Sequence, residues 1–445
     1  MSKQPRIRVI GAGLSGCEAS LQLASMGFEV DLYEMRPNIP TPAHRTSNMA
    51  ELVCSNSFKG LGLNSAHGLM KNELRLLGSF LMQAAEVARV PAGESLSVDR
   101  EQFSKEVERL IHSNPKITVH LQEVLSLAGD DRPTIVAAGP LCSSALADDM
   151  FSRLGQSRMH FFDAIAPVVD AESIDMNHAF WKNRWDKGTD PDFLNCPLNR
   201  ATYEEFVRKL IEADAVEPKP FESRELFEGC LPVEEMARRG QDTLRFGPMR
   251  PVGLGEDPDT GRKWWAVIQL RAENSQRTLF NMVGFQTRLK WGSQKEIFSI
   301  VPALRNANFV RLGAMHRNTF IESPKLLDVH LRLKQNGSEN GLPPTWFAGQ
   351  ITGAEGYTEA VATGLYAALN LANTLRRGAG IELPQGSCIR ALVDHLTAPN
   401  PSFQPMNFNF GLLPRPADLP RKTDRKEFLG EQAQTAIRSW IANSR

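Results

Sequence analysis

The chain has 445 residues, 42% hydrophobic and 23% charged, and its 51 basic and 51 acidic side chains balance to zero net charge. This is an ordinary soluble, globular composition with room for two or three domains. It gives no global charge to hold nucleic acid, so any RNA contact must be a local patch, and no run of about 18 apolar residues is available to span a membrane. The six cysteines (Cys17, Cys54, Cys142, Cys196, Cys230 and Cys388) are scattered singly. With no CxxC pair and no Cys/His cluster, no metal site is expected. Scattered thiols fit a reducing, cytoplasmic setting. The N-terminus runs straight into the first predicted strand, so no leader peptide is expected.

The first predicted strand, Ile7-Arg8-Val9-Ile10, leads into Gly11-Ala12-Gly13-Leu14-Ser15-Gly16. A helix follows over 17–26, then a second strand over 28–33 that ends at Glu34. This order is the dinucleotide-binding fingerprint. Gly11 permits the tight turn, Gly13 lets backbone approach a pyrophosphate, and Gly16 packs the helix on the sheet. The helix start, with Ala12, Leu14 and Ser15 around it, offers N–H groups to phosphate. Glu34 stands where a carboxylate accepts from a ribose hydroxyl.

Residues 38–66, rich in Pro, Asn, Ser, Gly and Thr, are predicted to form a long functional loop. A helix is expected over 67–90, a short strand over 94–99, a helix over 100–113, and strands over 117–121 and 134–138. The last of these runs into Gly139 beside the expected cofactor. From about 160 to 320, short strand-like runs (164–171, 264–270, 278–285, 307–313) and one helix (203–213) indicate a mixed α/β or antiparallel unit inserted into the nucleotide domain. A second strand-to-glycine signal then appears, Trp346-Phe347-Ala348-Gly349-Gln350 with Gly353 and Gly356, opening an apolar helix over 358–375. The tail from 385 is expected to be helical, with a Pro-rich loop near 399–420. The fold class expected is thus α/β: a discontinuous Rossmann-like FAD-binding domain with an inserted mixed α/β substrate domain. The expected divisions are 1–155, 156–325 and 326–445.

Several of these motifs together resemble one family, the bacterial folate- and FAD-dependent tRNA uracil-5-methyltransferases. They are the Gly11–Gly16 turn, Val53-Cys54-Ser55-Asn56-Ser57, the segment 228–235 (EGCLPVEE), Gly284-Phe285-Gln286-Thr287, Met315-His316-Arg317-Asn318-Thr319 and the segment 347–364. The resemblance runs from about residue 6 to about 415. It implies 5-methyluridine formation in the T-loop of tRNA (position 54). The carbon would come from 5,10-methylenetetrahydrofolate and the electrons from NAD(P)H through FAD. Arg288 departs from the smaller or neutral residue expected there.

Uracil C5 becomes nucleophilic only when a thiolate adds to C6, so the reaction needs an activated cysteine and a base for the C5 proton. By resemblance Cys54 and Cys230 both belong to the reaction, one as nucleophile and one assisting, with the roles left open and Cys54 the nearer to the flavin. On its own, each is more commonly a small buried hydrophobe. Cys17 is expected in the core, and Cys142, Cys196 and Cys388 have no constellation. The cofactor-binding set expected is Gly11, Ala12, Gly13, Leu14, Ser15, Gly16, Glu34, Gly139, Gly349, Gln350 and Gly353. His316 is the candidate for stacking on a pterin, Asn318 for an amide contact, and Lys290 and Arg288 for carboxylate or phosphate.

For RNA, the stretch 238–271 carries seven basic and four acidic residues around Trp264 and Trp265, and 415–445 also carries seven and four. Either is equally a solvated face with core tryptophans. No stable protein partner is implied. The competing functions are the same chemistry on ribosomal RNA, an FAD-dependent oxidoreductase acting on a small molecule, a wobble-uridine modifier working with a GTPase, and a non-catalytic RNA-binding flavoprotein.

Overall fold

The computed structural model describes residues 5–156, 159–188, 190–216, 231–258, 260–334, 341–401, 403–415 and 424–443. Ile7–Ile10 forms a strand with every residue buried. It lies at the centre of a five-stranded sheet ordered Thr345–Phe347, Thr134–Val136, Ile7–Ile10, Val30–Tyr33, Ile117–His120, all paired in parallel. Strands covered on both faces are rich in apolar residues, here interrupted by buried polar side chains such as Arg8, Asp31 and Thr134. One strand of this sheet comes from beyond residue 340, so the nucleotide-binding fold is discontinuous. The helices Leu14–Ser25 and Tyr357–Arg377 cross so closely that a Cβ on Gly364 would lie 2.3 Å from the Ser15 carbonyl oxygen. Only glycine fits there.

The helix expected over 67–90 is two helices, Ala66–Leu76 and Phe80–Val87. The chain breaks at Gly78 (φ +79°), and the Ser79 side chain accepts from the Met82 N–H to start the second. The buried Glu18 carboxylate also serves that start, accepting from Ser79 Oγ at 2.9 Å and Leu81 N at 2.9 Å. Glu73 does the same for the helix Cys388–Thr397, accepting from Ser387 Oγ at 2.5 Å and Cys388 N at 2.7 Å. The segment predicted as loop over 38–66 contains a strand, Ser57–Gly60, paired antiparallel with Ser95–Val98.

Residues 168–311 supply a second, antiparallel sheet of six strands, ordered Phe180–Trp181, Phe193–Leu198, Ala266–Ala272, Leu279–Met282, Val168–Asp170, Phe309–Arg311. It has its own apolar core, in which Phe206, Phe285 and Phe298 pack with ring centroids 6.1–6.4 Å apart. The strand expected over 164–171 is really the end of one strand and the whole of another. A ribbon of Met159–Ala164 with Met315–Phe320 joins the two sheets' territories, and the Thr319 N–H donates to the Pro140 carbonyl at 2.9 Å. Among the described residues no helix is long and apolar enough to cross a membrane, and no cluster of three or more His, Cys, Asp or Glu could hold a metal.

Candidate functional site: a glycine-turn pocket and the Cys54 loop

The three glycines of the first turn have three different reasons to be glycine. Gly11 takes φ +101°, and a Cβ there would lie 2.4 Å from the Ala137 carbonyl oxygen. A Cβ on Gly16 would lie 1.8 Å from the Gly11 carbonyl oxygen. At Gly13 a Cβ would meet nothing within 4 Å, so the backbone there faces open space. Gly13 caps the helix Leu14–Ser25 with no side-chain hydrogen bond. The first-turn N–H groups are therefore left for a ligand, at the positive end of the helix dipole. The helix Tyr357–Arg377 also begins without a side-chain cap, at Gly356 (φ +113°).

Both helix starts open on one pocket of about 960 Å³, part of it in contact with solvent. Gly11, Gly13, Leu14 and Ser15 form one wall, and Gly139, Gln350 and Tyr357 others. Glu34 stands on the pocket as expected, with its oxygens already engaged. Oε2 accepts from the Ala12 N–H at 3.1 Å, and Oε1 from the Arg36 backbone N–H and Nε, both at 3.0 Å. Burial works to raise its pKa, but the hydrogen bonds and charge of Arg36 outweigh burial and hold it low. A ribose hydroxyl would share these lone pairs.

The remaining expected cofactor residues shape the pocket from behind. Ala12 positions Glu34. Gly16 lets the turn close. The Gly349 N–H donates to Thr363 Oγ1 at 2.9 Å, and its missing side chain makes room for Ser15 Oγ. Gly353 packs against the Phe403 ring, away from the pocket lining. Arg36, Thr41, His44, Glu51, Cys142 and Tyr357 line the pocket without having been singled out for it. His44 stands four residues before Asn48 in the polar loop, and burial next to Arg36 lowers its pKa to about 4.

Cys54 stands at the pocket's edge, where Val53 is part of the lining. The Tyr357 hydroxyl accepts from the Cys54 N–H at 2.8 Å and the Ser55 N–H at 3.1 Å. Arg100 donates to the carbonyls of Leu52 and, at 3.4 Å, Cys54, and pairs with Glu273 at 2.5 Å. Asn56 Nδ2 donates to the carbonyls of Val98 at 3.0 Å and Ala272 at 2.9 Å, while its Oδ1 accepts from Arg271 Nε at 3.0 Å. The thiol-bearing loop is thus clamped from both sheets' territories. Cys17, by contrast, is fully buried with its thiol pKa pushed up by burial, and Cys196 and Cys388 are buried too. Cys230 lies outside the described residues.

His316, on the joining ribbon, has its pKa lowered by burial and the charge of Arg45, and lies close enough to His44 to act on it. Asn318 follows on the same strand, 4% exposed. Arg288 and Lys290 are placed elsewhere. Lys290 pairs with Asp214 at 3.1 Å on the insert's surface. Arg288 pairs with Glu235, and its N–H donates to Glu234 at 2.9 Å. Together with Val233 N–H to Gln286 O at 2.7 Å, this ties down the segment that follows Cys230. Of the two tryptophans in the basic stretch, Trp264 stacks on Phe180 (5.4 Å) and Trp265 lies under Arg245 (3.8 Å) and Arg200 (5.1 Å).

A parallel sheet, an open glycine turn, an acid at the end of the second strand and an inserted antiparallel unit define a dinucleotide-binding flavoprotein-type fold. Residues 6–378 match the family model described as glucose inhibited division protein A. The chain is 51% identical to the methylenetetrahydrofolate–tRNA-(uracil-5-)-methyltransferase TrmFO of Desulfitobacterium hafniense, covering 92% of each. It is 48% identical to the protein of the same name from Geobacter sulfurreducens, over 98% of this chain and 99% of that one. The solved structure of Aquifex aeolicus GidA superposes with a TM-score of 0.69 at 16% identity, over 98% of this chain and 74% of that one, which shows a shared fold. The chain belongs to the glucose inhibited division protein A family and, within it, to the methylenetetrahydrofolate–tRNA-(uracil-5-)-methyltransferases.

Proposed function

We propose that this protein methylates uracil C5 in tRNA, forming 5-methyluridine at T-loop position 54 in the cytoplasm with carbon from 5,10-methylenetetrahydrofolate and electrons from NAD(P)H. The observation that carries the reading is the junction of an open, glycine-walled dinucleotide pocket with a clamped, thiol-bearing loop. The pocket residues fit FAD: bare backbone at Gly13, uncapped helix starts at Leu14 and Tyr357, and a carboxylate at Glu34. FAD, when bound, supplies the two-electron chemistry that turns a transferred one-carbon unit into a methyl group.

The chain's own residues do the rest. The N–H groups after Gly13 hold the pyrophosphate, and Glu34 and Arg36 orient the ribose end. Tyr357 and Arg100 fix the Cys54 loop against the pocket. A thiolate, from Cys54 or Cys230, adds to uracil C6 and makes C5 nucleophilic. Once the one-carbon unit is on C5, a base takes the C5 proton and the thiolate leaves. His316 and Asn318 stand on the ribbon beside the pocket, where an imidazole can cover a pterin. Arg288 acts by holding the segment after Cys230.

The test is methyl transfer in vitro, with unmodified tRNA, labelled methylenetetrahydrofolate, FAD and NAD(P)H, followed by nucleoside analysis. Label in 5-methyluridine at one T-loop site is the expected result. A flavin-loaded protein that oxidises NAD(P)H but labels no tRNA would overturn the tRNA reading, and a repeat on ribosomal RNA would show whether the same chemistry has another target.

A further inference from the structure

Next to Cys54, and outside the flavin pocket, lies a group of cations with too few anions. Arg271 and Arg311 each lie close enough to Arg100 to feel its charge, all three lie within electrostatic reach of Cys54 and Tyr357, and the carboxylate among them is Glu273. Three guanidiniums thus face one carboxylate. Two of them are accounted for: Arg100 by Glu273 at 2.5 Å, and Arg271 by Asn56 at 3.0 Å. Arg311 is not. It ends the edge strand Phe309–Arg311, after a register shift in the pairing with Val168–Asp170. Its Nε and Nη2 are buried with no hydrogen-bond partner.

A buried guanidinium with two bare donors is costly to keep, because a desolvated charge needs a partner of opposite sign. Arginine cannot escape by losing its proton: burial and the charge of Arg100 lower its pKa only to about 10. Its planar fork matches an oxyanion with two oxygens. The cluster is not sealed from solvent: Arg100 keeps 18% of its side chain exposed, and Arg311 as a residue is half-buried.

We propose that Arg311, backed by Arg100 and Arg271, is the seat for a backbone phosphate of the RNA flanking the nucleotide that reaches Cys54. The proposal rests on the methyltransferase reading for the identity of the RNA, though the oxyanion seat itself does not. Geometry favours phosphate over the other anion of the reaction. A uridine held at Cys54 has a phosphodiester on each side of its ribose. The folate carboxylates lie at the far end of the molecule from the one-carbon unit. A phosphate fixed here sets the register of the strand, so that the base and not its neighbour enters the site.

The experiment uses the FAD-loaded protein, Arg311→Met and Arg311→Lys. First, thermal melts are compared in inorganic phosphate and in chloride at equal ionic strength. Phosphate should raise the melting temperature of the wild type by more than that of Arg311→Met, which keeps only the general stabilisation phosphate gives a folded protein. This arm needs no activity, so it stands even if the methyltransferase reading fails. An equal response of wild type and Arg311→Met would overturn the seat. Second, with flavin content and melting temperature in chloride confirming that the variants fold, methylation is measured against each substrate. Arg311→Met should raise KM for tRNA by about 10- to 100-fold with KM for methylenetetrahydrofolate unchanged. It should also reduce the slope of log affinity against log salt by about one, and Arg311→Lys should recover part of the loss. A rise confined to KM for the folate would overturn the phosphate assignment in favour of the carboxylate, and unchanged constants for both substrates would overturn the proposal.

Discussion

The glycine turn makes a prediction that separates folding from cofactor binding within six residues. At Gly13 the backbone has φ −76° and ψ −170°, a conformation open to any L-residue, and a Cβ there meets no protein atom within 4 Å. Gly13→Val should therefore fold, at a cost of about 1 kcal/mol for a poorer helix cap. Its side chain would occupy the space that a pyrophosphate needs in order to reach the first-turn N–H groups. Hydrogen bonds to charged groups contribute about 1.5–3 kcal/mol each, so losing one or two weakens FAD binding by at least about tenfold and up to about 10,000-fold. Gly16→Ala should do the reverse: its Cβ would lie 1.8 Å from the Gly11 carbonyl oxygen, so the turn must open and the protein itself should melt early. The assay is flavin fluorescence titration of apoprotein together with melting of the same samples by circular dichroism. FAD affinity in Gly13→Val within a factor of about three of wild type, a difference under 1 kcal/mol, would refute the placement of the pyrophosphate. Normal stability in Gly16→Ala would refute the packing argument.

Cys54→Ala and Cys230→Ala should each abolish methyl transfer while FAD stays bound. The Cys54 N–H contact to Tyr357 is made by backbone and survives the change, so full methylation by both variants would sink the thiol mechanism. Tyr357→Phe strands two N–H donors, those of Cys54 and Ser55. At about 1–3 kcal/mol per unsatisfied donor, single-turnover methylation should slow by at least about tenfold, and an unchanged rate would show that the loop does not depend on this hydroxyl. Asn56→Ala removes three hydrogen bonds joining Val98, Ala272 and Arg271. A loss of about 3 kcal/mol is expected in denaturant titration, and an unmoved midpoint would show the clamp to be dispensable. His44 has a folded pKa of about 4 against about 6.5 unfolded. The unfolded chain therefore binds the proton first, and the His44 contribution is complete above pH 6.5 and lost as pH falls toward 4. The ceiling is about 3 kcal/mol, reduced by solvent at a partly exposed ring. His44→Gln should flatten stability over that window, and an identical pH profile would exclude the effect.

The parts of the molecule that are legible in the sequence are those in which a local signal and a local structure coincide. The turn at Gly11–Gly16 is one, because three glycines, a buried strand and an acid lie within 30 residues and every one of them is used locally. The helix Tyr357–Arg377 is another, since its apolar face is continuous. The break at Gly78 is hidden, because leucines at helical spacing continue across it; the Gly78-Ser79 pair, a stop followed by a cap, is the signal that marks it. The surroundings of Cys54 are illegible for a different reason. Tyr357 is 303 positions away from it, and Arg100 is 173 positions from Glu273. Nothing in the spacing of arginines reveals that Arg100, Arg271 and Arg311 converge. Lys290 and Arg288 attract attention as free cations near a family motif, but in the folded chain each has an acidic partner, and that pairing depends on the insert's tertiary structure.

These long-range ties have a chemical logic. A thiol that must meet a nucleobase beside a flavin has to be placed to within a fraction of an ångström of its productive position. A loop fixed only by its own turn chemistry cannot hold that position against the thermal motion of a surface segment. The Cys54 loop is instead fixed by one hydroxyl from the helix that opens on the dinucleotide pocket, one guanidinium at the start of the helix Arg100–His112, and one amide that reaches the inserted sheet. Each tie comes from a different part of the chain, so the loop is in place only when the pocket and the insert have both folded against it. The segment after Cys230 is held in a similar way, by Arg288 and Gln286 from across the insert. On the proposed thiol mechanism, reactivity is thereby conditional on the complete fold: a partly folded chain keeps Cys54 but not its setting.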